Sequence, residues 1–166
     1  MRVGLRADVA LLNGGNIRSD ALIGPGVFSR LHLINMLPFP TQVCRVRVSP
    51  SALLAALEVG VSALPAMSGG FLQVSGVRFR YDSQAPPGRR VQITSVEVFL
   101  DDGMAVEGKG GSPQAGQWAW TPIVTLPAGA TLTLAIPDFM AAGKEGFDML
   151  KGGNADTVTE VDGENG

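Results

Sequence analysis

The chain has 166 residues, 45% hydrophobic and 17% charged, enough to bury a core and too apolar for global disorder. Its formal charge is −2, with Asp156, Glu160, Asp162 and Glu164 in the tail; the rest carries +2, far from the basic field that binds nucleic acid. One cysteine, Cys44, excludes an intrachain disulfide and a cysteine-rich zinc site. Asp8 to Leu12 then reads as a short buried strand that runs into the Gly-rich turn Asn13-Gly14-Gly15-Asn16. Ser29 is an N-cap for a short helix through Met36, stopped by Pro38.

Gln42 to Val48 alternates as a strand and carries Cys44 among valines, the setting of a buried structural thiol. Ser49-Pro50 starts a helix, because Ser accepts from the first free N–H groups and Pro at the first turn forfeits no needed donor. Leu53, Leu57 and Val61 fall on one face of that helix, and Gly60 weakens its end. Phe71–Val74 and Val77–Tyr81 are expected strands broken at Ser75-Gly76, and Val91–Leu100 is expected as one long strand. Asp101-Asp102-Gly103 is expected as a hairpin turn, 105–116 as a loop, and Trp118 and Trp120 on one face of the next strand. Thr131–Ile136 is a further strand, Phe139–Ala142 a helical turn, and Phe147–Leu150 the close of the packed part.

The expected class is α+β, a mixed β-sheet with short helices. The expected organisation is a lead-in over 1–7, one domain over 8–151 and a disordered acidic tail over 152–166. The start has no apolar core or cleavage-like site, so no signal peptide is read there, and prolines break the uncharged stretch between Lys109 and Asp138, so no membrane span is read there.

Several residues invite chemical readings. His32 is the only histidine and cannot by itself build a dimetal cluster; a surface or partly buried helix position suits it better. Ser29 reads as a cap rather than a nucleophile, and there is no Gly-x-Ser-x-Gly. Phe39, just past a helix, and Phe139, beside a Gly-containing loop, fit either core packing or ligand stacking on the residues alone.

Five segments in order carry a resemblance. Asn13-Gly14-Gly15-Asn16-Ile17-Arg18, Leu37-Pro38-Phe39, Ala55 to Gly60, Gly70 to Gly76, and Asp138 to Phe147 resemble the successive motifs of the 5′-nucleotidase C-terminal domain. That resemblance implies a domain that holds a nucleoside or nucleotide and presents its phosphate to two divalent metal ions in a separate metallophosphatase domain. The metal pair is expected only there, with no cofactor in this chain, and the present sequence is expected to lack that domain and the family's first helix and to be inert alone; a stand-alone nucleotide-binding module and a degenerate non-catalytic remnant are the alternative readings. Family members are often periplasmic or extracellular.

The resemblance also implies roles for particular residues. Phe39 and Phe139 would clamp a base, worth about 1–3 kcal/mol per stack. Arg18 would pair with phosphate or ribose, with a surface arginine as the plain alternative. The turn of Gly14, Gly15 and Asn16 could aim N–H groups at a phosphate, with Asn16, where the family has its third Gly, tolerating a left-handed backbone. Asn13 would orient the loop or touch ligand. Glu145 stands where the family carries an Asp for the ribose hydroxyls, with Lys144 in place of a Gly beside it, and Thr41 where some members carry a base-binding Asn.

Overall fold

A computed structural model describes residues 1–101 and 118–151. The elements are β1 (Val9–Asn13), α1 (Arg30–Met36), β2 (Val43–Val48), α2 (Pro50–Val61), β3 (Leu72–Ser75), β4 (Val77–Arg78), β5 (Glu97–Asp101), β6 (Trp118–Pro122), β7 (Leu132–Pro137) and α3 (Asp138–Ala141), with short 3-10 turns between them. They form two sheets. One is four-stranded and mixed, in the order β2-β7-β1-β3; the other is β4-β5-β6, antiparallel throughout. Among the described strands only β1 and β7 run parallel; β2 and β3 are antiparallel to their neighbours. The α+β class is as expected, with the strands divided over two sheets.

The core lies between α2 and the two sheets. Val9 and Leu11 of β1, Cys44, Val46 and Val48 of β2, and Leu132, Leu134 and Ile136 of β7 turn one face inward. Leu53, Ala56, Leu57 and Val61 of α2 meet them, and Val96, Val98 and Leu100 bring in the second sheet. Alternation with period two produces this division, since every second side chain shares a face. On the opposite face of the mixed sheet Ala10 and Ala135 form a small separate cluster with Ala7, against which Leu5 and Val43 pack. The lead-in turns back through Leu5 N–H to Met1 O and Ala7 N–H to Arg2 O, and so lays Leu5 on this face.

The capping signals hold. Ser49 Oγ accepts from Ala52 N–H, and Pro50 is the first residue of α2. Ser29 Oγ accepts from His32 N–H, while His32 Nδ1 accepts from Ser29 N–H, so the lone histidine closes a reciprocal capping box. His32 is half-buried, as the sequence suggested.

Two expected strands are shorter than their patterns. Val77–Tyr81 pairs as β4 only over Val77–Arg78, and Val91–Leu100 becomes β5 only from Glu97. Ser95 is the cause. Its Oγ donates to Gln92 O and accepts from Arg80 N–H, while Ser95 N–H and Val96 N–H close a tight turn onto Gln92 O and Ile93 O. A hydroxyl that serves local carbonyls competes with the ladder. Beyond the β4–β5 ladder, Val77 to Val98 and Arg78 to Glu97, the two segments meet at an isolated bridge, Tyr81 to Val91.

Trp118 and Trp120 do share a face, packing on Phe99 with ring centroids at 5.4 and 5.1 Å, and Arg78 lies over Trp120 while paired with Glu97. Of the hairpin expected at Asp101-Asp102-Gly103, Asp101 ends β5, and Asp102-Gly103, the loop over 105–116 and the tail over 152–166 lie outside the described residues. Among the described residues, no helix is long and apolar enough to cross a membrane.

Candidate functional site

The topology gathers the expected site residues. β1 and β7 are parallel, so the segments that follow them, 14–18 and 138–146, leave from the same end of the sheet. β2 and β3 run the opposite way, so the segments that precede them, 37–42 and 68–71, arrive at that same end. Four sequence-distant segments therefore share one edge, the strand-end position where open sheets most readily build sites.

The Gly-rich turn is fastened to the lead of β3. Gly14 N–H donates to Phe71 O at 2.7 Å and Gly15 N–H to Gly69 O at 2.8 Å. A Cβ at Gly14 would lie 3.1 Å from Phe71 O, and one at Gly15 3.3 Å from the Gly69 Cα. These glycines are thus required by close backbone approach. The finding corrects two expectations. The Gly14 and Gly15 N–H groups are occupied by carbonyls and do not form a phosphate nest. Asn16 lies in a 3-10 turn and not in the left-handed region, so its tolerance of that region is not used.

Asn16 uses its side chain instead. Asn16 Nδ2 donates to Asn13 Oδ1 at 2.8 Å, and Asn13 Nδ2 donates to Glu145 Oε2 at 3.0 Å. Asn13 is buried at the end of β1; Glu145 is exposed and left-handed, with φ 56°, between Gly143 and Gly146, which also have positive φ.

Arg18 is anchored by its N–H to Met36 O, and its guanidinium carbon lies 5.3 Å from the centre of the Phe39 ring. Phe39 is 49% exposed, and Thr41 N–H donates back to Phe39 O. Phe39, Thr41, Asn16, Leu37 and Pro137 line a cavity of about 150 Å³. A larger one, about 550 Å³, lies on the other flank of the turn along Gly14, Gly15, Leu64, Met67 and Phe71. Phe139, in α3, is half-buried and packs against the main core, so its ring is less available than that of Phe39. Cys44, beneath this edge, has its thiol pushed up from 9.0 by burial and, second, by the carboxylate of Asp138.

The sequence missed the partners that hold this edge together: the carbonyls of Gly69 and Phe71, and the side chain of Asn16. The signal for the first was the Gly-Gly at 69–70 just before β3. Among the described residues no group of three or more His, Cys, Asp or Glu side chains could hold an ion, so these residues do not fit a metal pair.

The 5′-nucleotidase, C-terminal domain family matches residues 1–152. Snake venom 5′-nucleotidase of Macrovipera lebetinus is 31% identical over 146 residues, covering 87% of this chain and 32% of that protein. The Crotalus adamanteus counterpart is 32% identical over 146 residues, 87% of this chain and 22% of its own length. Among solved structures, a 5′-nucleotidase precursor from Thermus thermophilus superposes with a TM-score of 0.73 at 31% identity, over 95% of this chain and 27% of that one. The Haemophilus influenzae NAD nucleotidase, at 19% identity and a TM-score of 0.57 over 87% of this chain and 22% of its own, shares the fold. The chain spans between 22% and 32% of the length of the snake venom relatives it matches. With its motifs in order, its fold matched and nearly its whole described length covered, the chain belongs to the 5′-nucleotidase C-terminal domain family.

Proposed function

We propose that this domain binds the nucleoside part of a nucleotide at the shared sheet edge and presents the phosphate to a metallophosphatase domain or chain. The observation that carries the reading is the stack of Arg18 on the exposed face of Phe39, beside a cavity that Thr41 and Asn16 also line. An exposed aromatic ring offers a flat apolar surface to a base. A guanidinium is the side chain best suited to a bidentate, charge-assisted contact with phosphate. Phe139, just past the end of β7, is the second ring of the proposed clamp, Thr41 the group nearest the base, and Glu145 the acceptor for ribose hydroxyls.

The chemistry of hydrolysis belongs to the partner. Two metal ions there would activate water and stabilise the phosphoryl group; the residues described here bind and orient. Support for a partner comes from α1, which buries none of its residues and leaves Leu31 and Ile34 64% and 51% exposed on the helix whose Met36 O accepts from Arg18 N–H. An apolar surface of this kind marks a contact with another chain or domain.

Calorimetric titration of the metal-free protein with AMP tests the reading. Saturable heat is expected, and Phe39→Ala should weaken binding by about tenfold, the loss of one base stack. Saturable binding that neither Phe39→Ala nor Phe139→Ala alters would refute the clamp. AMP hydrolysis by the pure chain with added divalent metal would refute the dependence on a partner.

A further inference from the structure

The Asn13 amide lies between two groups that take opposite ends of it. Glu145 is a carboxylate, with acceptors only, and takes the Nδ2 end; Asn16 offers its own NH₂ and takes the Oδ1 end. The chain of donors therefore has one direction, from Asn16 through Asn13 to Glu145. Buried at the end of β1, Asn13 has little access to water as a substitute. Glu145 needs the anchor, because it is exposed on a left-handed backbone between two positive-φ glycines. Among the described residues, Asn13 is the one hydrogen-bond partner of its side chain. Glu145 Oε1 lies over Gly69, 3.7 Å from where a Cβ would stand, and accepts no hydrogen bond from the described residues.

We propose that Asn16 is a positioning residue that orients the Glu145 carboxylate through the Asn13 amide and leaves Oε1 for a ligand hydroxyl. The ligand part rests on the nucleoside reading above; the relay itself does not. The carboxylate reaches the ligand only if its loop is held against β1, a contact across 132 residues of sequence. Asn16 supplies the fixed end of that chain. Its own position is set by the turn that Gly14 and Gly15 fasten to Phe71 and Gly69.

Reversing the relay tests it. In Asn16→Asp the new carboxylate accepts only, so Asn13 must turn its Nδ2 toward it and face Glu145 with Oδ1. Two acceptors then oppose each other, and stability should fall. Adding Glu145→Gln supplies an NH₂ that can donate to Oδ1, so the chain runs backwards and stability should return. Denaturant unfolding of the wild type, the two single variants and the double variant should give a coupling of about tenfold in the unfolding constant, within the range for groups in one network. The same cycle in an Asn13→Ala background should lose the coupling. Additive effects, or coupling that persists without Asn13, would overturn the relay, the latter by showing plain repulsion between carboxylates.

Should Asn13→Ala fail to fold, hydrogen exchange of the Asn13 side-chain amide provides the second measurement. It should be slow in the wild type and at least about tenfold faster in Asn16→Gly, as expected when a buried hydrogen bond is lost; equal rates would overturn the proposal. With ligand, Asn16→Asp should weaken adenosine about tenfold more than it weakens 2′,3′-dideoxyadenosine, the effect of one charge-assisted hydrogen bond. Equal losses for both would remove the hydroxyl role. A coupled cycle in a protein that binds no adenosine would leave the relay standing and refute the nucleoside reading; adenosine binding with an additive cycle would do the reverse.

Discussion

Cys44 faces the core from β2, opposite Ile136 of β7, and its thiol titrates above 9.0 because burial opposes the thiolate and Asp138 adds like charge. In the unfolded chain the same thiol ionises nearer that value. The folded state therefore holds its proton longer, and stability present below the unfolded pKa is lost as pH rises through the folded one. Unfolding curves at rising alkaline pH should show the wild type losing stability beyond about pH 9, whereas Cys44→Ala has a flatter alkaline limb; parallel limbs would contradict this. The buried thiol was legible from the valines around it. The charge beside it was not, since Asp138 is 94 residues away and reaches it only through β2–β7 pairing, which Asp138 N–H extends by donating to Gln42 O. Asn16 behaves in the same way. The sequence pointed to its backbone; the fold employs its side chain, because its partners only meet once β1 and the loop after β7 lie together.

Helix α2 was the most legible element, since Ser49, Pro50 and the spacing of Leu53, Leu57 and Val61 all agree, and the helix runs from Pro50 to Val61. What holds its far end was hidden. Arg90 is buried and donates through Nη1 to Val61 O and Ser62 O, the carbonyls left free at a helix C-terminus. Glu58 answers by accepting from Arg90 N–H and Val91 N–H, both at 2.8 Å. Gly60, read as a weak point of the helix, is instead the place where β3 approaches, and a Cβ there would lie 2.9 Å from Leu72 Cγ. Gly60→Ala should gain up to about 1 kcal/mol of helix propensity and lose about 1–3 kcal/mol to overpacking, for a net loss of stability. In a Leu72→Ala background the clash disappears and the same substitution should stabilise. Denaturant titration of the four proteins checks the sign change, and a loss in both backgrounds would reject the packing account. The strand expected over Val91–Leu100 failed for a related reason, since one hydroxyl, that of Ser95, diverts its first half into a turn.

Across the whole molecule, one parallel pair explains why motifs dispersed from Asn13 to Phe147 meet. Four of the five motifs are written beside a strand end, the fifth, Ala55 to Gly60, lying within α2, and the order β2-β7-β1-β3 brings those ends to one edge. The motifs were readable one by one, and their order pointed to the family; the register that sets Glu145 against Asn13, and Arg18 over Phe39, depends on pairings across the whole chain. The division into two sheets was not readable, because alternation describes a strand's faces and not its neighbour. The aromatic group of Phe99, Trp118 and Trp120 lies on the second sheet, away from the strand ends that carry the site, and so provides an internal control.

Titration of the metal-free, isotope-labelled protein with AMP, followed by backbone NMR, bears most directly on a nucleotide site at the shared edge. Saturable shifts should concentrate at Arg18, Phe39, Thr41, Phe139 and Glu145, with the Phe99–Trp120 face unmoved. No saturable shifts, or shifts confined to the aromatic face of the second sheet, would contradict such a site.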